Sequence, residues 1–298
     1  MTIGWVFPGQ GSQKLGMADE LLNLPEAKKR FEFASQILQR DLLAITRGET
    51  SEGVEIQDLN DTRNTQPAMF VVESLLVDEL RRQGRQPSLV AGHSLGEIVA
   101  LYAAEVFDIK TALILLKSRS ELMAGAGGGA MTAVLGANTE DLESLVNKTE
   151  GVFIANDNSS SQVVLSGDPA SLDAAIKELK CKRAVPLNVS GAFHSPFMKE
   201  ASEAFAKELD LIEFCDAKCN VLSNSDPEPT KDGQALKSKL KKQMTTGVRW
   251  KEIMQIMQNE GIKTLVEIGP GNVLSGLAKR SLKGAETIQI ANSTDLGY

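Results

Sequence analysis

The 298-residue sequence contains few cysteines, histidines and aromatic residues. Its three cysteines, Cys181, Cys215 and Cys219, are an odd and sparse set that argues against a disulfide framework. Such a composition favours a reducing compartment, and we expect a cytoplasmic protein. With only two histidines in the chain, we do not expect a zinc site or any other bound metal.

Long apolar runs and a basic charge balance are also missing. No run of eighteen apolar residues occurs, so we expect no membrane span. The N-terminal segment MTIGWVFPGQ has neither a basic region nor a separate apolar region, and it predicts a strand that enters a loop rather than a signal peptide. The formal net charge of −7 argues against nucleic acid as a partner.

The apolar periodicity predicts an α/β chain. It indicates one helix over residues 65–84, with Pro67 in its first turn and Gly84 at its C-terminal cap. A buried strand at 87–92 is followed directly by an amphipathic helix that starts near Leu95. Strands and helices therefore alternate, as in a large α/β domain.

The clearest linker is the glycine-rich segment at residues 125–130. The roughly sixty residues after it follow the order β-α-β-β-α-β, which is typical of a ferredoxin-like unit. We therefore predict a small inserted domain at residues 128–192. The larger α/β domain is then discontinuous and comprises residues 1–127 and 193–298.

Ser94 lies in the pentapeptide Gly92-His93-Ser94-Leu95-Gly96, which fits the pattern G-x-S-x-G. A buried strand precedes it and an amphipathic helix follows, as in a nucleophile elbow. The glycines permit a turn too tight for side chains beside the serine. We interpret Ser94 as a nucleophile, and the alternative is an ordinary strand-to-helix turn.

A serine hydroxyl needs a base, and the chain offers His93 and His194. Neighbouring side chains diverge at a sharp turn, so His93 is expected to pack beneath the elbow. His194 follows the inserted unit in a loop and is the predicted base, with a plain surface or core histidine as the alternative. No acid stands out to orient it, because Asp157 and Asp168 both fall within the inserted unit. A carbonyl or amide group is another possible partner.

Arg119 lies on the same helical stripe as Ala112, Leu116 and Met123. An arginine on an apolar stripe is costly unless an anion meets it. We interpret it as a fork that binds a substrate carboxylate. The alternatives are an ion pair within the protein and a cap on the helix end.

Six features occur in one order along the chain, namely VFPGQGSQ, TQPA, GHSLGE, the arginine 25 residues after Ser94, GAFHSPFM and VEIGPG. This set resembles the malonyl-CoA:acyl-carrier-protein transacylases over essentially the whole chain. The resemblance implies a hydrolase-like α/β domain with a ferredoxin-like insertion. It also implies an acyltransferase that needs no cofactor and carries malonyl groups from malonyl-CoA to the phosphopantetheine thiol of acyl carrier protein, supplying extender units for fatty-acid synthesis.

The resemblance assigns roles to individual residues. Ser94 is implied to be the acylated nucleophile, His194 its base, and Arg119 the group that binds the free malonyl carboxylate. Gln10 and Leu95 are implied to supply the backbone N–H groups of an oxyanion hole.

Two further glutamines receive roles in the same way. The main-chain carbonyl of Gln243 is implied to hold the histidine, which explains the missing acid, and Gln66 is expected near the site. Phe193, before the histidine, resembles family members selective for malonyl over methylmalonyl units.

Other functions remain compatible with the residues. A serine thioesterase or esterase, malonyl loading for a polyketide pathway, and a non-catalytic domain that binds carrier protein are the alternatives. An acidic carrier protein requires a local basic face on this acidic chain. Candidates for it are Lys241, Lys242, Lys279 and Arg280, and the alternative is a solvated helix surface.

Overall fold

The computed structural model describes residues 2–49, 57–189 and 191–297. Its strands, in chain order, are β1 (Ile3–Phe7), β2 (Leu89–Gly92), β3 (Ala130–Leu135), β4 (Val152–Ser159), β5 (Gln162–Gly167), β6 (Arg183–Pro186), β7 (Asn220–Leu222), β8 (Thr264–Ile268) and β9 (Glu286–Ile290). Its α-helices are α1 (Ala27–Leu38), α2 (Leu42–Arg47), α3 (Thr62–Arg82), α4 (Gly96–Ala103), α5 (Ile109–Gly125), α6 (Thr139–Lys148), α7 (Pro169–Glu178), α8 (Lys199–Asp210), α9 (Gly233–Lys242), α10 (Trp250–Asn259) and α11 (Val273–Ser281).

Within the described residues the larger sheet is parallel, with five strands in the order β7-β2-β1-β8-β9. Its central strands are almost wholly buried, and their continuous apolar sequences suit a sheet that helices cover on both faces. Strands β1 and β2 end side by side, with Phe7 opposite Gly92. The loops that follow these two strands therefore meet at one edge of the sheet, where functional sites of open α/β folds lie.

The smaller sheet is antiparallel, in the order β4-β5-β3-β6, and helices α6 and α7 connect its strands. This strand order together with the β-α-β-β-α-β sequence is the ferredoxin-like arrangement. The predicted fold class, a hydrolase-like α/β part with an inserted ferredoxin-like unit, is confirmed. The elements of the small unit span residues 130–186, and the predicted domain boundaries at 127/128 and 192/193 stay predictions.

One segment of the large α/β part, residues 247–249, pairs with the edge of the small sheet. The backbone of Val248 donates to the carbonyl of Ala155 at 2.8 Å and accepts from the N–H of Asp157 at 2.9 Å. Gly247 permits this approach, because a Cβ there would lie 2.7 Å from the carbonyl oxygen of Ile154. The small unit is thus fastened to the segment that follows α9.

Helix α3 begins three residues before the predicted start at residue 65, so Pro67 lies inside the helix and not in its first turn. Asp61 caps the N-terminus by accepting a hydrogen bond from the N–H of Arg63. A proline has no N–H for the carbonyl four residues earlier, and Nη2 of Arg40 donates to that carbonyl, on Arg63, at 2.8 Å. Tertiary contact therefore satisfies the group that the proline leaves free. Gly84, with φ of 77°, follows the helix end as predicted.

Candidate active site

Ser94 lies at the tip of a sharp turn between β2 and α4, with φ of 55° in the left-handed region. The flanking glycines are required by this turn. A Cβ on Gly92 would lie 1.8 Å from the backbone of Gly96, and a Cβ on Gly96 would lie 2.3 Å from the carbonyl oxygen of Phe7. The predicted strand–turn–helix arrangement is present, and it lifts the hydroxyl of Ser94 above the edge of the sheet.

The imidazole of His194 meets this hydroxyl. Nε2 of His194 lies 2.7 Å from Oγ of Ser94, and Nδ1 lies 3.0 Å from the carbonyl oxygen of Gln243. A carbonyl only accepts hydrogen bonds, so Nδ1 carries the proton and Nε2 is free to accept the serine proton. Burial, together with the charge of Arg119, lowers the pKa of His194 to about 3, so the ring is neutral at neutral pH.

The other histidine has a different place. His93 points away from the hydroxyl, with Nε2 2.8 Å from Oδ1 of Asn158 and its ring against Trp250 at a centroid distance of 5.4 Å. Its carbonyl oxygen faces Gly9, where a Cβ would lie only 2.6 Å away. His93 is therefore held by Asn158 and Trp250, and Gly9 lets the loop after β1 approach its backbone closely. That it packs beneath the elbow stays a prediction.

Arg119 on α5 is fully buried and reaches the same site. Nη1 donates to Oε1 of Gln66 at 2.6 Å. Nε and Nη2 donate to Oε1 of Gln243 at 3.2 and 2.7 Å, and Nη2 also lies 3.3 Å from Oγ of Ser94. Burial lowers the pKa of Arg119 to about 10, against the raising effect of Glu97, so the guanidinium is charged at neutral pH.

The partners of this buried cation are neutral. Among the residues that the structure describes, Arg119 makes no ion pair with a carboxylate, and its N–H groups meet amide and hydroxyl oxygens instead. Oxygen dipoles satisfy the hydrogen bonds without neutralising the charge. Arg119 is therefore a buried cation that can bind an anionic group of a ligand beside Ser94.

Among the described residues, two backbone N–H groups beside Ser94 have no hydrogen-bond acceptor in the protein. In the described part of the chain, the N–H groups of Gln10 and Leu95 donate to no protein acceptor, and both residues line the cleft. The N–H of Ser94 itself is occupied, because it donates to Oδ1 of Asn224 at 2.8 Å. The side chain of Gln10 donates to Oγ1 of Thr62 at 3.1 Å, which fixes its loop.

Asn224 and Glu97 are site residues that sequence reasoning missed. Nδ2 of Asn224 donates to the carbonyl of Gly92 at 2.6 Å, so this side chain spans the elbow from the end of β2 to Ser94. Glu97 accepts from the backbone N–H of Asn224 and from Nε2 of Gln243. Glu97 could have been identified from the sequence, because it is an acidic residue in an otherwise apolar helix. Asn224 could be identified only from the pairing of β7 with β2.

The cleft lies between the two sheets. Met131, Asn156 and Leu187 line it from the small unit, and Met123 and Phe193 line it from the large part. Every residue that the sequence singled out for the site, including Gln66, is placed around this cleft or in direct contact with Arg119 or His194.

Residues 4–295 match the protein family described as the acyl transferase domain. The chain belongs to the acyl transferase family. This acyl transferase is 46% identical to the malonyl CoA-acyl carrier protein transacylase of Synechocystis sp., with 99% of each chain covered. It is 37% identical to the polyketide biosynthesis malonyl CoA-acyl carrier protein transacylase PksC of Bacillus subtilis, with 96% of this chain and 99% of that protein covered.

The solved structures agree. The crystal structure of the Synechocystis malonyl-CoA:ACP transacylase superposes on this acyl transferase with a TM-score of 0.94, covering 99% of each chain at 46% identity. A malonyl-transacylase solved in complex with a type II polyketide acyl-carrier protein gives a TM-score of 0.91 at 35% identity, covering 99% of this chain and 98% of that one. The family resemblance read from the motifs is confirmed.

The described residues contain neither a metal-binding cluster nor a membrane-spanning helix. Within the ranges that the structure describes, no cluster of three or more His, Cys, Asp and Glu side chains is arranged to hold a metal ion. In the same ranges, no helix has both the length and the apolarity needed to cross a membrane.

Of the four basic residues singled out for carrier docking, Lys241 pairs with Asp210, and Lys242, Lys279 and Arg280 are exposed. Their docking role stays a prediction.

Proposed function

We propose that this acyl transferase moves a malonyl group from malonyl-CoA to the phosphopantetheine thiol of an acyl carrier protein through a malonyl ester on Ser94. The observation that carries the proposal is the contact of three groups in one cleft. The hydroxyl of Ser94 lies 2.7 Å from Nε2 of His194 and 3.3 Å from Nη2 of the buried Arg119. The relatives are named as malonyl transacylases of acyl carrier protein, which supports the choice of substrates.

The first step forms the ester. Nε2 of His194 accepts the proton of the Ser94 hydroxyl as Oγ attacks the thioester carbonyl of malonyl-CoA. The tetrahedral intermediate collapses, the C–S bond breaks, and the imidazolium returns the proton to the thiolate of coenzyme A. The second step repeats this with the carrier's thiol, whose proton passes to Nε2 while its sulfur attacks the malonyl ester. Oγ of Ser94 leaves and takes the proton back.

The oxyanion of each tetrahedral intermediate needs donors. The N–H groups of Gln10 and Leu95 are uncommitted beside Ser94, and we assign them to this oxygen. Removing one such donor typically costs about 3 kcal/mol of transition-state stabilisation. Asn224 contributes by occupying the N–H of Ser94, which leaves Leu95 as the donor at the start of α4.

Arg119 explains why a malonyl group suits this cleft. A malonyl carboxylate that pairs with the guanidinium supplies the anion that the described protein groups do not. The same pairing fixes the acyl carbonyl beside Oγ of Ser94. It also keeps the malonyl ester oriented for attack by the carrier's thiol, so that hydrolysis of the ester by water is disfavoured. We propose Gln66 and Gln243 as the groups that hold the guanidinium in place, with the carbonyl of Gln243 orienting His194.

Intact-protein mass spectrometry after mixing with malonyl-CoA tests the proposal. We expect one malonyl adduct that maps to Ser94, is absent from the Ser94→Ala variant, and disappears when holo acyl carrier protein is added, with malonyl-carrier as the product. An adduct on another residue contradicts the assignment. Free malonate as the main product indicates a thioesterase instead.

The same assay addresses the pathway. Fatty-acid synthesis is the role that we propose, in the cytoplasm predicted from the composition. The Bacillus subtilis relative PksC, which is 37% identical, is named for polyketide biosynthesis. Comparing the transfer rate to a fatty-acid carrier and to a polyketide carrier separates these two roles, and faster transfer to the polyketide carrier contradicts ours.

A further inference from the structure

Glu97 is a fully buried carboxylate close to the site, at the second position of α4. Its Oε2 accepts hydrogen bonds from Nε2 of Gln243 at 2.7 Å and from the backbone N–H of Asn224 at 3.1 Å. Among the described residues it forms no direct ion pair. The catalytic steps above do not use it, and burying an acid that does nothing is costly.

Gln243 connects this carboxylate to Arg119. A side-chain amide has one donating end and one accepting end. The donating Nε2 lies between two acceptors, Oε2 of Glu97 and the carbonyl oxygen of Ser94, the latter at 2.8 Å. The accepting Oε1 receives Nε and Nη2 of Arg119. A flipped amide would set donors against the guanidinium and an oxygen against the carboxylate, so Glu97 acts with the carbonyl of Ser94 to keep the oxygen end of the amide toward Arg119.

The separation of the two charges by one amide has a second effect. A direct Glu97–Arg119 pair would occupy the guanidinium face that a ligand carboxylate needs. With Gln243 between them, the acid still favours the charged form of the arginine. Among the described residues Nη1 donates to Gln66 alone, so one of its N–H groups stays available, and the second N–H of Nη2 is directed at Oγ of Ser94. Burial raises the pKa of Glu97, and hydrogen bonds from Gln243 and Asn224 and the charge of Arg119 act against that rise.

We propose that Glu97 is a positioning residue for acyl-group selection. It holds the amide of Gln243 with its oxygen toward Arg119 and so keeps the guanidinium oriented and charged for a substrate carboxylate. This inference rests on the proposed function, because it concerns how the malonyl group is distinguished from an acyl group without a carboxylate.

The Glu97→Gln variant tests the inference. It keeps the side-chain volume but removes the charge and introduces a donor, so the amide of Gln243 is held less firmly with its oxygen toward Arg119. The readout is the rate of Ser94 acylation by malonyl-CoA and by acetyl-CoA, followed by mass spectrometry. We expect the malonyl rate to fall about ten- to a hundredfold more than the acetyl rate. Equal losses for the two acyl groups would overturn the inference.

A second variant keeps the test decisive if Glu97→Gln fails to fold. Gln243→Ala removes the connecting amide but leaves the backbone carbonyl for His194, and the same selective loss of the malonyl rate is expected. If both fold, the selective losses of the single variants and the double variant should not add, because Glu97 acts through Gln243. Additive losses, or a Gln243→Ala variant with unchanged selectivity, would contradict the inference.

The matched control is Glu79→Gln on α3. Glu79 is also buried and hydrogen bonded, to Arg82 and Gln83, but lies near the far end of α3 from Gln66. We expect both acylation rates to match those of the unmodified protein. The unmodified protein distinguishes failure of the proposed function from failure of this inference. If it forms no malonyl-Ser94, the proposed function fails, whereas a malonylated protein whose Glu97→Gln variant loses both rates equally refutes only the role of Glu97.

Discussion

His194, the proposed base, is oriented by a backbone carbonyl and not by an acid. Nδ1 of His194 donates to the carbonyl oxygen of Gln243 at 3.0 Å. A carbonyl dipole selects the same tautomer as a carboxylate, but it stabilises the imidazolium less. The lowered pKa of His194, about 3, is consistent with this, since burial and the charge of Arg119 both disfavour the protonated ring.

Replacing His194 by Ala should slow acylation of Ser94 about a hundred- to ten-thousandfold for malonyl-CoA and acetyl-CoA alike, because general-base catalysis is lost for both. The Michaelis constant should change little. Single-turnover mass spectrometry measures the rate. The control is His93→Asn, which removes the imidazole that contacts Asn158 and Trp250, and we expect a loss below about tenfold. A His194→Ala variant that acylates at the normal rate would exclude His194 as the base.

Replacing Arg119 by Ala should reduce acylation by malonyl-CoA about a hundredfold, because a charge-assisted fork to the carboxylate is lost. Acylation by acetyl-CoA should fall much less. The Arg119→Lys variant keeps the charge without the planar fork and should give an intermediate malonyl rate. Identical losses for the two thioesters in Arg119→Ala would show that the guanidinium has no role in carboxylate binding.

Acidification should destabilise the protein through His194. The folded-state pKa of about 3 lies below the value near 6.5 of an exposed histidine. The unfolded chain therefore binds more protons below about pH 6.5, and stability falls as the pH falls. Between about pH 6.5 and pH 5 this one group should cost about 2 kcal/mol.

Urea unfolding at neutral pH and at about pH 5 measures this effect. The control is His194→Asn, in which the free energy of unfolding should fall by about 2 kcal/mol less over the same interval. The comparison between variants cancels contributions from other titrating groups. If both proteins lose the same stability, His194 is not buried in its neutral form.

Replacing Gly92 by Ala should prevent the elbow from forming, because the added Cβ would lie 1.8 Å from the backbone of Gly96. Relief requires the backbone to move, so both activity and stability should be lost, with a destabilisation of about 3 kcal/mol or more. The control Gly276→Ala lies in a helix with nothing within 4 Å of the new Cβ. It should raise stability by about 0.5–1 kcal/mol, as measured by thermal unfolding. An active, stable Gly92→Ala variant would contradict the elbow geometry.

The parts of the site that local sequence determines could be predicted. The elbow at Ser94 depends on a strand, a tight turn and a helix that are adjacent in the chain. His194 followed from the scarcity of histidine. Asn224 and Glu97 were not predicted, because their contacts depend on tertiary structure. Asn224 reaches Ser94 because β7 lies beside β2, and Glu97 reaches Gln243 because α9 ends beside α4. Hydrophobic periodicity does not show which elements pack together. The start of α3 was predicted wrongly for a similar reason, since a side chain distant in sequence satisfies the carbonyl that Pro67 leaves free.

The pairing of Val248 with β4 gives the cleft a mechanical property. The backbone that orients His194 through Gln243 continues, five residues later, into hydrogen bonds with Ala155 and Asp157 of the small sheet. The small sheet and His194 are therefore tethered to one short stretch of chain. A displacement of that sheet would act on the same stretch, so the position of the cleft wall is coupled to that of the imidazole.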